Sequence, residues 1–417
     1  MKQIKLYKSL TLAVLLGTIF SVGFFSCNEY PNAYKHTSGN PEVFFIRLTD
    51  PASADSLLDG AQMGSIICLV GNNLRSIHEL FFNDQQAILN TSYITDNTLI
   101  VTVPNDIPTD VTDKIYMVSF SGDTVSYDFK TIVPAPSVNS ISCEYAPEGS
   151  TATLIGDYFL DDPNTPLSIE FPGNVPVTDI ISISKTQIQF IVPKGAIKGY
   201  LNVTTLYGTS RSKFQYKDDR GMILDWDNLN ADGGWRPGNI ASDGGISGNY
   251  VVFKGDLDNG DWNEDGFSFN LWGSANGRPQ GDFFDASPSN LSNLLFKFEI
   301  NVLSPWSVDA MQIVFTPWST QGTNSYYGDG TYPRALWIPW ATTGSGGTPG
   351  TYQTDGWITV TIPMTDFKFG PTGAALSANG PGNYGGLSMF VWNGGVSGTS
   401  CTTEMHLDNM RVVPIDK

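Results

Sequence analysis

Acid–base, metal and nucleophilic chemistry each need several reactive side chains close together, and the 417-residue chain spreads such residues thinly. Its three histidines, His36, His78 and His406, lie far apart in sequence. A zinc site or a histidine-based triad draws several groups to one place. Glycosidic hydrolysis needs two carboxylates facing each other across the scissile bond. The E-x-D-x-E strand pattern of jelly-roll retaining glucanases is absent, and beyond residue 218 the only glutamates are Glu264, Glu299 and Glu404. Aspartates are plentiful, so an unusual acid pair stays open as the alternative. The run "DWNEDG" from Asp261 to Gly266 matches the opening of a calcium loop, but its twelfth position is Trp272 where a bidentate acid belongs. It reads as a polar turn. No catalytic residue, metal site or cofactor is expected.

The aromatics are distributed quite differently. All ten tryptophans lie from Trp226 onward, and "YPRALWIPW" (Tyr332 to Trp340) sits between glycine-rich, nearly uncharged loops. An exposed indole suits the C–H face of a pyranose. A tryptophan buries ~150–250 Å² in total. Half of that against sugar contributes at most roughly 2–3 kcal/mol at ~25 cal/mol per Å². Association itself costs ~4 kcal/mol or more, so two or three rings in line are needed. The expected platform is Trp306 and Trp340, with Trp337, Trp318 and Tyr327 next. Trp306, Trp318 and Trp340 each follow a proline at a strand end. Asn276, Arg278, Gln280 and Asn324 are candidate hydroxyl partners, while Trp226, Trp357 and Trp392 sit in strand patterns and read as core. The net charge of −18 argues against nucleic acid and repels anionic polysaccharides. A neutral ligand fits it.

The elements that must position these rings are strands. Charged residues are 15 %, glycines number 43 and prolines 25; together with many β-branched and aromatic residues this points to all-β domains. The chain also repeats. "GSIICLVGNNL" at Gly64 resembles "GSTATLIGDYF" at Gly149, "NTLIVTVP" ending at Pro104 resembles "TQIQFIVP" ending at Pro193, and "PEVFFI" at Pro41 aligns with "PSVNSI" at Pro136. The period suits two small sandwiches, and the glycine after Leu-Val or Leu-Ile suggests a turn or a close backbone approach. Beyond residue 218 tryptophan and glycine rise and helical periodicity is absent, which suits one larger sandwich or jelly roll. Strand candidates there include "YVVFK", "FSFNLW", "NLLFKFEIN", "MQIVFTPW", "ALWIPW", "WITVTIPM", "LSMFVW" and "MHLDNMRVV". In "MQIVFTPW", alternation places Met311, Ile313 and Phe315 on one face and Gln312, Val314 and Thr316 on the other.

The N-terminus reads as a targeting segment. Lys2, Lys5 and Lys8 precede an apolar run that ends at Ser26-Cys27, short for a membrane span and suited to a signal peptide. A cysteine just after such a core resembles a bacterial lipoprotein site, with Cys27 the lipidated first residue of the mature chain; a single transmembrane anchor and a plain secreted protein are the alternatives. The division is residues 1–26 signal peptide, 27–40 flexible tether, 41–133 and 134–218 immunoglobulin-like sandwiches, and 219–417 the larger sandwich. Cys68, Cys143 and Cys401 fall one per domain and read as small buried apolar residues.

The ordered set of P-x-V, G-[ND] and V-P motifs, occurring twice, resembles IPT/TIG immunoglobulin-like domains. With the lipoprotein signal, the tether and the stretches "MILDWDNLNADGGW", "SPWSVDAMQIVFTPW" and "HLDNMRVV", the layout resembles the surface glycan-binding lipoproteins of Bacteroidota (SGBP-B type) that recognise xyloglucan and related β-glucans. The resemblance implies glycan capture without catalysis by an aromatic platform in the C-terminal domain, with the repeats as spacers. It also implies lipid-anchored display on the outer-membrane surface beside a TonB-dependent transporter and its lid lipoprotein. Two other readings compete: a surface-anchored glycoside hydrolase, and an adhesin that binds protein through its Ig-like repeats.

Overall fold

The computed structural model describes residues 34–232, 236–259, 266–320, 332–369, 380–393 and 395–416. They form an all-β molecule that divides into two compact units, Met1–Val133 and Pro134–Lys417. The first unit is a sandwich. One sheet orders Glu42–Leu48, Ile66–Asn72 and Thr98–Thr102; the other orders Gln85–Gln86, Ile77–Phe82, Lys114–Ser119 and Thr124–Asp128. Alternate residues such as Ile67, Leu69, Leu99 and Val101 close its core. Of the expected tether, residues 34–40 are described and lie on this sandwich: Tyr34 Oη donates to the Arg75 carbonyl, and Asn73 Nδ2 donates to the carbonyl of Ser38.

The repeated motifs turn out to be matching hydrogen-bond positions. Gly64 N–H donates to Val103 O at 2.9 Å and Val103 N–H to Ser65 O at 2.9 Å; Gly149, Val192 and Ser150 repeat both bonds at 2.9 Å. The Gly-Ser and Val-Pro motifs are therefore the two sides of one strand pair, which proline ends because it has no N–H. The glycine of each Leu-Val/Ile-Gly motif answers to a close approach. A Cβ on Gly71 would fall 1.9 Å from Glu42 O, and one on Gly156 would fall 1.9 Å from Ser137 O. In both repeats the opening strand shifts register next to that contact.

The second unit contains the second small sandwich and the large one. The large one stacks two sheets. One orders Asn239–Ala241, Tyr250–Leu257, Cys401–Pro414, Leu294–Val302 and Ile358–Pro363, with Met222–Leu224 also on Cys401–Pro414. The other orders Ser268–Leu271, Gly386–Trp392, Ala310–Thr316, Pro333–Trp337 and Lys368–Phe369. Each of the eight strand candidates read from this part of the sequence overlaps one of these strands. Met311, Ile313 and Phe315 point into the core, as alternation requires.

The two sandwiches of this unit meet across buried charge. Arg411 is fully buried on the last long strand. Its Nη1 donates to Glu299 Oε2 at 2.8 Å and its Nη2 to Glu144 Oε2 at 2.7 Å. Glu144 belongs to the second repeat, as does Tyr145, whose ring lies 5.0 Å from the Arg411 guanidinium carbon. Lys297 also donates to Glu144. Thr359 N–H donates to Ser142 O at 2.9 Å, joining the backbones. At the rim, Arg220 bridges Asp218 and Asp416.

Replacing Arg411 with Met leaves two carboxylates buried without their shared cation, so it should lower unfolding stability by about 3–5 kcal/mol. Urea denaturation of the variant checks this. Asp408, opposite Glu299 in the sheet, gives a pH test. Burial pushes its carboxyl up to about 8, although bonds from the Ser247 hydroxyl and the Asn409 amide pull it down. The folded chain thus holds a proton that an unfolded aspartate releases at ~3.9. Stability should fall as pH rises from about 4 to about 8 and then level off. The urea midpoint followed between about pH 5 and about pH 9 should show the decline, and Asp408→Asn should flatten it.

Candidate functional site

Among the described residues, the expected platform of exposed rings is not assembled. Trp306 and Trp340 are both 0 % exposed and belong to the core. Two physical reasons correct the expectation. Pro339 cannot continue the strand, so the chain enters a 3-10 turn at Pro339–Thr342 that swings Trp340 inward. Trp306 sits at a strand end, but it exchanges two backbone bonds with Tyr352, and the loop carrying Tyr352 covers it. Trp337 is half-buried and faces inward, 5.6 Å from both Trp306 and Tyr352 between ring centroids. Trp318 is half-buried on Gly273 and Gly385, where any Cβ would come within 2.8 Å of it, and its Nε1 donates to Arg278 O at 3.0 Å. Tyr327, Asn324 and the Asp261–Asp265 run lie outside the described residues.

Other assignments shift as well. Arg278 spends its guanidinium on the carbonyls of Ile223 and Asn230. Asn276 accepts from Arg278 Nε, and Gln280 is exposed. Trp226 is core as expected. Trp357 is half-buried against Tyr250 and His406. Trp392 is half-buried on the strand Gly386–Trp392. Cys68 and Cys143 are buried free thiols, and Cys401 is half-buried.

The unusual surface is the outer face of the five-stranded sheet. Cross-strand register sets Asn270, Ser388, Val314 and Arg334 side by side, and Ser268, Phe390, Gln312 and Leu336 in the next row. An outer face normally meets water, yet Asn270, Ser388, Gln312 and Arg334 are all at most 3 % exposed. Asn270 Nδ2 donates to Ser388 Oγ at 3.1 Å, and Gln312 Nε2 donates to Asn393 O at 2.8 Å. Gln312 Oε1 and Trp272 Nε1 are buried without a hydrogen-bond partner among the described residues. Buried polar atoms of this kind mark places where water or a ligand completes the bonding.

At one end of this face, beside Trp392, lies a polar pocket of about 270 Å³ lined by Asn259, Asp309, Asn393, Gly395, Val396 and Ser397. Its floor is held by the two indoles first taken for the platform. Trp306 Nε1 donates to Val308 O and Trp340 Nε1 to Asp309 O at 2.8 Å. Asp309 takes φ 63°, a left-handed conformation that aspartate tolerates better than most residues. Asn259 is fixed by a reciprocal pair of bonds with Gly398. The pocket therefore offers the Asn393 amide and the exposed Ser397 hydroxyl beside a base fixed by Asn259 and Asp309, groups able to bind sugar hydroxyls. Alternation made Gln312 legible as an outward residue. Its burial, and the convergence of Asn259, Asp309 and Asn393 from distant segments, had no sequence signal.

Residues 216–414 match the family model described as "Surface glycan-binding protein B xyloglucan binding domain". The crystal structure of the surface glycan-binding protein PbSGBP-B from Prevotella bryantii is 36 % identical, with a TM-score of 0.76, over 91 % of this chain and 100 % of that one. The chain belongs to the SGBP-B family of surface glycan-binding proteins. A solved structure described as SGBP-B from a complex xyloglucan utilization locus in Bacteroides uniformis also matches, at 17 % identity and a TM-score of 0.46, over 90 % of this chain and 100 % of that one. A Bacteroides ovatus protein described as IPT/TIG domain-containing is 30 % identical over 200 residues, 44 % of this chain and 40 % of that protein. The chain thus spans less than half the length of that curated relative.

Trp340→Ala should lower unfolding stability by about 3–5 kcal/mol, because it removes a buried indole and the donor that holds Asp309. Differential scanning calorimetry is the check. A variant that kept its melting temperature while losing ligand would restore Trp340 to the surface.

Proposed function

We propose that this SGBP-B protein captures a neutral β-glucan, xyloglucan or mixed-linkage glucan, at the cell surface without cleaving it. The observation that carries this reading is that the xyloglucan-binding family model matches residues 216–414, the stretch of sequence in which all ten tryptophans lie. The pocket between Asn259 and Asn393 holds the glycan; the half-buried Trp392 beside it supplies aromatic area and the polar groups choose among hydroxyl patterns. The glutamates support a non-catalytic role. Glu299 is consumed by Arg411 and Thr359. Glu404 pairs with Lys254 and His406. Glu264 lies outside the described residues. Lipidation at Cys27 anchors the chain to the outer membrane, and delivery runs to a TonB-dependent transporter with its lid lipoprotein; these three parts of the reading rest on the family layout and the sequence of the first 27 residues.

Affinity electrophoresis of the full chain tests the reading. Migration should be retarded in xyloglucan or mixed-linkage glucan gels, with little change in added salt because the ligand carries no charge. Trp392→Ala combined with Ser397→Ala should weaken binding by roughly ten- to a hundredfold in protein that keeps its β-sheet circular dichroism. Retardation on no neutral glucan or mannan, or release of reducing ends by the purified protein, would overturn the proposal.

A further inference from the structure

The two small sandwiches share their motifs and differ at one edge. In the second, the strand Gln187–Ile191 is flanked by Ile180–Ile183, which closes the sheet through the pairs Ile183 with Ile188, Ser182 with Gln189 and Ile180 with Phe190. Ile191 N–H then donates to Asp179 O at 2.9 Å. In the first sandwich the equivalent strand, Thr98–Thr102, is the last of its sheet. The preceding segment begins the same hairpin, with Thr95 N–H donating to Thr98 O at 2.8 Å and a bridge from Ile94 to Leu99. It then leaves the edge through a 3-10 turn at Thr91–Tyr93. On the side away from Ile66–Asn72, no strand accompanies Ile100 to Thr102 among the described residues.

A groove of about 680 Å³ runs along this uncovered edge. Ile88 is 91 % exposed in it, Tyr93 57 % and Ile66 55 %. Large apolar side chains grouped beside an unpaired strand edge form a template for another strand. The lining residues include one charged group, Asp106, and no cation.

We propose that this groove binds an extended β-strand of a partner protein, added to the Thr98–Thr102 edge as Ile180–Ile183 is added to the second repeat. The chemistry of the occupant follows from that internal counterpart. It has β-branched residues at alternate positions, facing Ile66, Ile88 and Tyr93, and a basic residue opposite Asp106. Main-chain bonds supply affinity and the apolar contacts set register. The groove belongs to the first unit and the glycan-binding sandwich to the second.

The test uses the full chain and a synthetic peptide with the protein's own sequence from Val177 to Ser184, "VTDIISIS", extended by one lysine. Binding is read by fluorescence anisotropy and by amide shifts at Ile100 to Thr102. Saturable binding below about 1 mM is expected. A peptide with proline replacing its central isoleucine should not bind. Ile88→Asp changes an exposed side chain, so it should weaken peptide binding by about tenfold or more while leaving glycan retardation unchanged. Absence of peptide binding up to about 1 mM, or binding unaffected by Ile88→Asp, would sink the proposal. Sedimentation showing a concentration-dependent dimer that Ile88→Asp abolishes would make the occupant a second copy of this chain and overturn it as stated.

Discussion

One guanidinium fixes the layout of the C-terminal two-thirds of the chain. Arg411 is removed from water and answered by Glu299 in its own sandwich and Glu144 in the neighbouring one. A buried charge tolerates little displacement, because any gap leaves an ion without solvent or partner. The second repeat therefore cannot swing freely on the large sandwich, and Thr359 adds a backbone tie beside the charges. Aliphatic residues of similar size would join the two sandwiches as firmly, but with looser demands on angle and register. The charge network makes the second repeat part of the binding domain's foundation rather than a detached spacer.

The aromatic residues divide by task. Trp306, Trp337 and Trp340 pack with Phe298 and Tyr352 inside the large sandwich. Their contribution to the site is indirect: indole N–H groups reach the carbonyls of Val308 and Asp309 and set the backbone that lines the polar pocket. The opposite face of the same sheet carries Gln312, Asn270, Ser388 and Arg334 under cover. A single strand, Ala310–Thr316, thus sends Ile313 to the core and Gln312 to the covered outer face on alternate steps.

The repeats show how far a shared pattern constrains structure. Gly71 and Gly156 meet the same backbone constraint, and the Gly-Ser and Val-Pro pairs make the same bonds. Those motifs specify the sandwich but not the closure of its edge. Ile180–Ile183 follows its neighbour, whereas the stretch from Ile88 to Tyr93 departs from it. A difference of a few residues between two otherwise matching hairpins leaves one edge paired and the other open.

Strand alternation, the twofold repeat and the rise in tryptophan near residue 218 were enough to read an all-β chain and to locate the strands of the large sandwich, because those signals are local and depend on side-chain period and turn chemistry alone. The family was legible for the same reason, since its motifs are short runs of neighbouring residues. The identity of the exposed rings was not. Trp340 reaches the core through a turn set by Pro339, and Trp306 is hidden by a loop from Tyr352, contacts 46 residues or less away in sequence but fixed only once the sheets are stacked. The pocket joining Asn259, Asp309 and Asn393, and the partnership of Glu144 with Arg411, were likewise decided by tertiary structure alone: convergence of distant segments and the loss of water around a side chain are properties of the packed molecule, and no residue spacing encodes them.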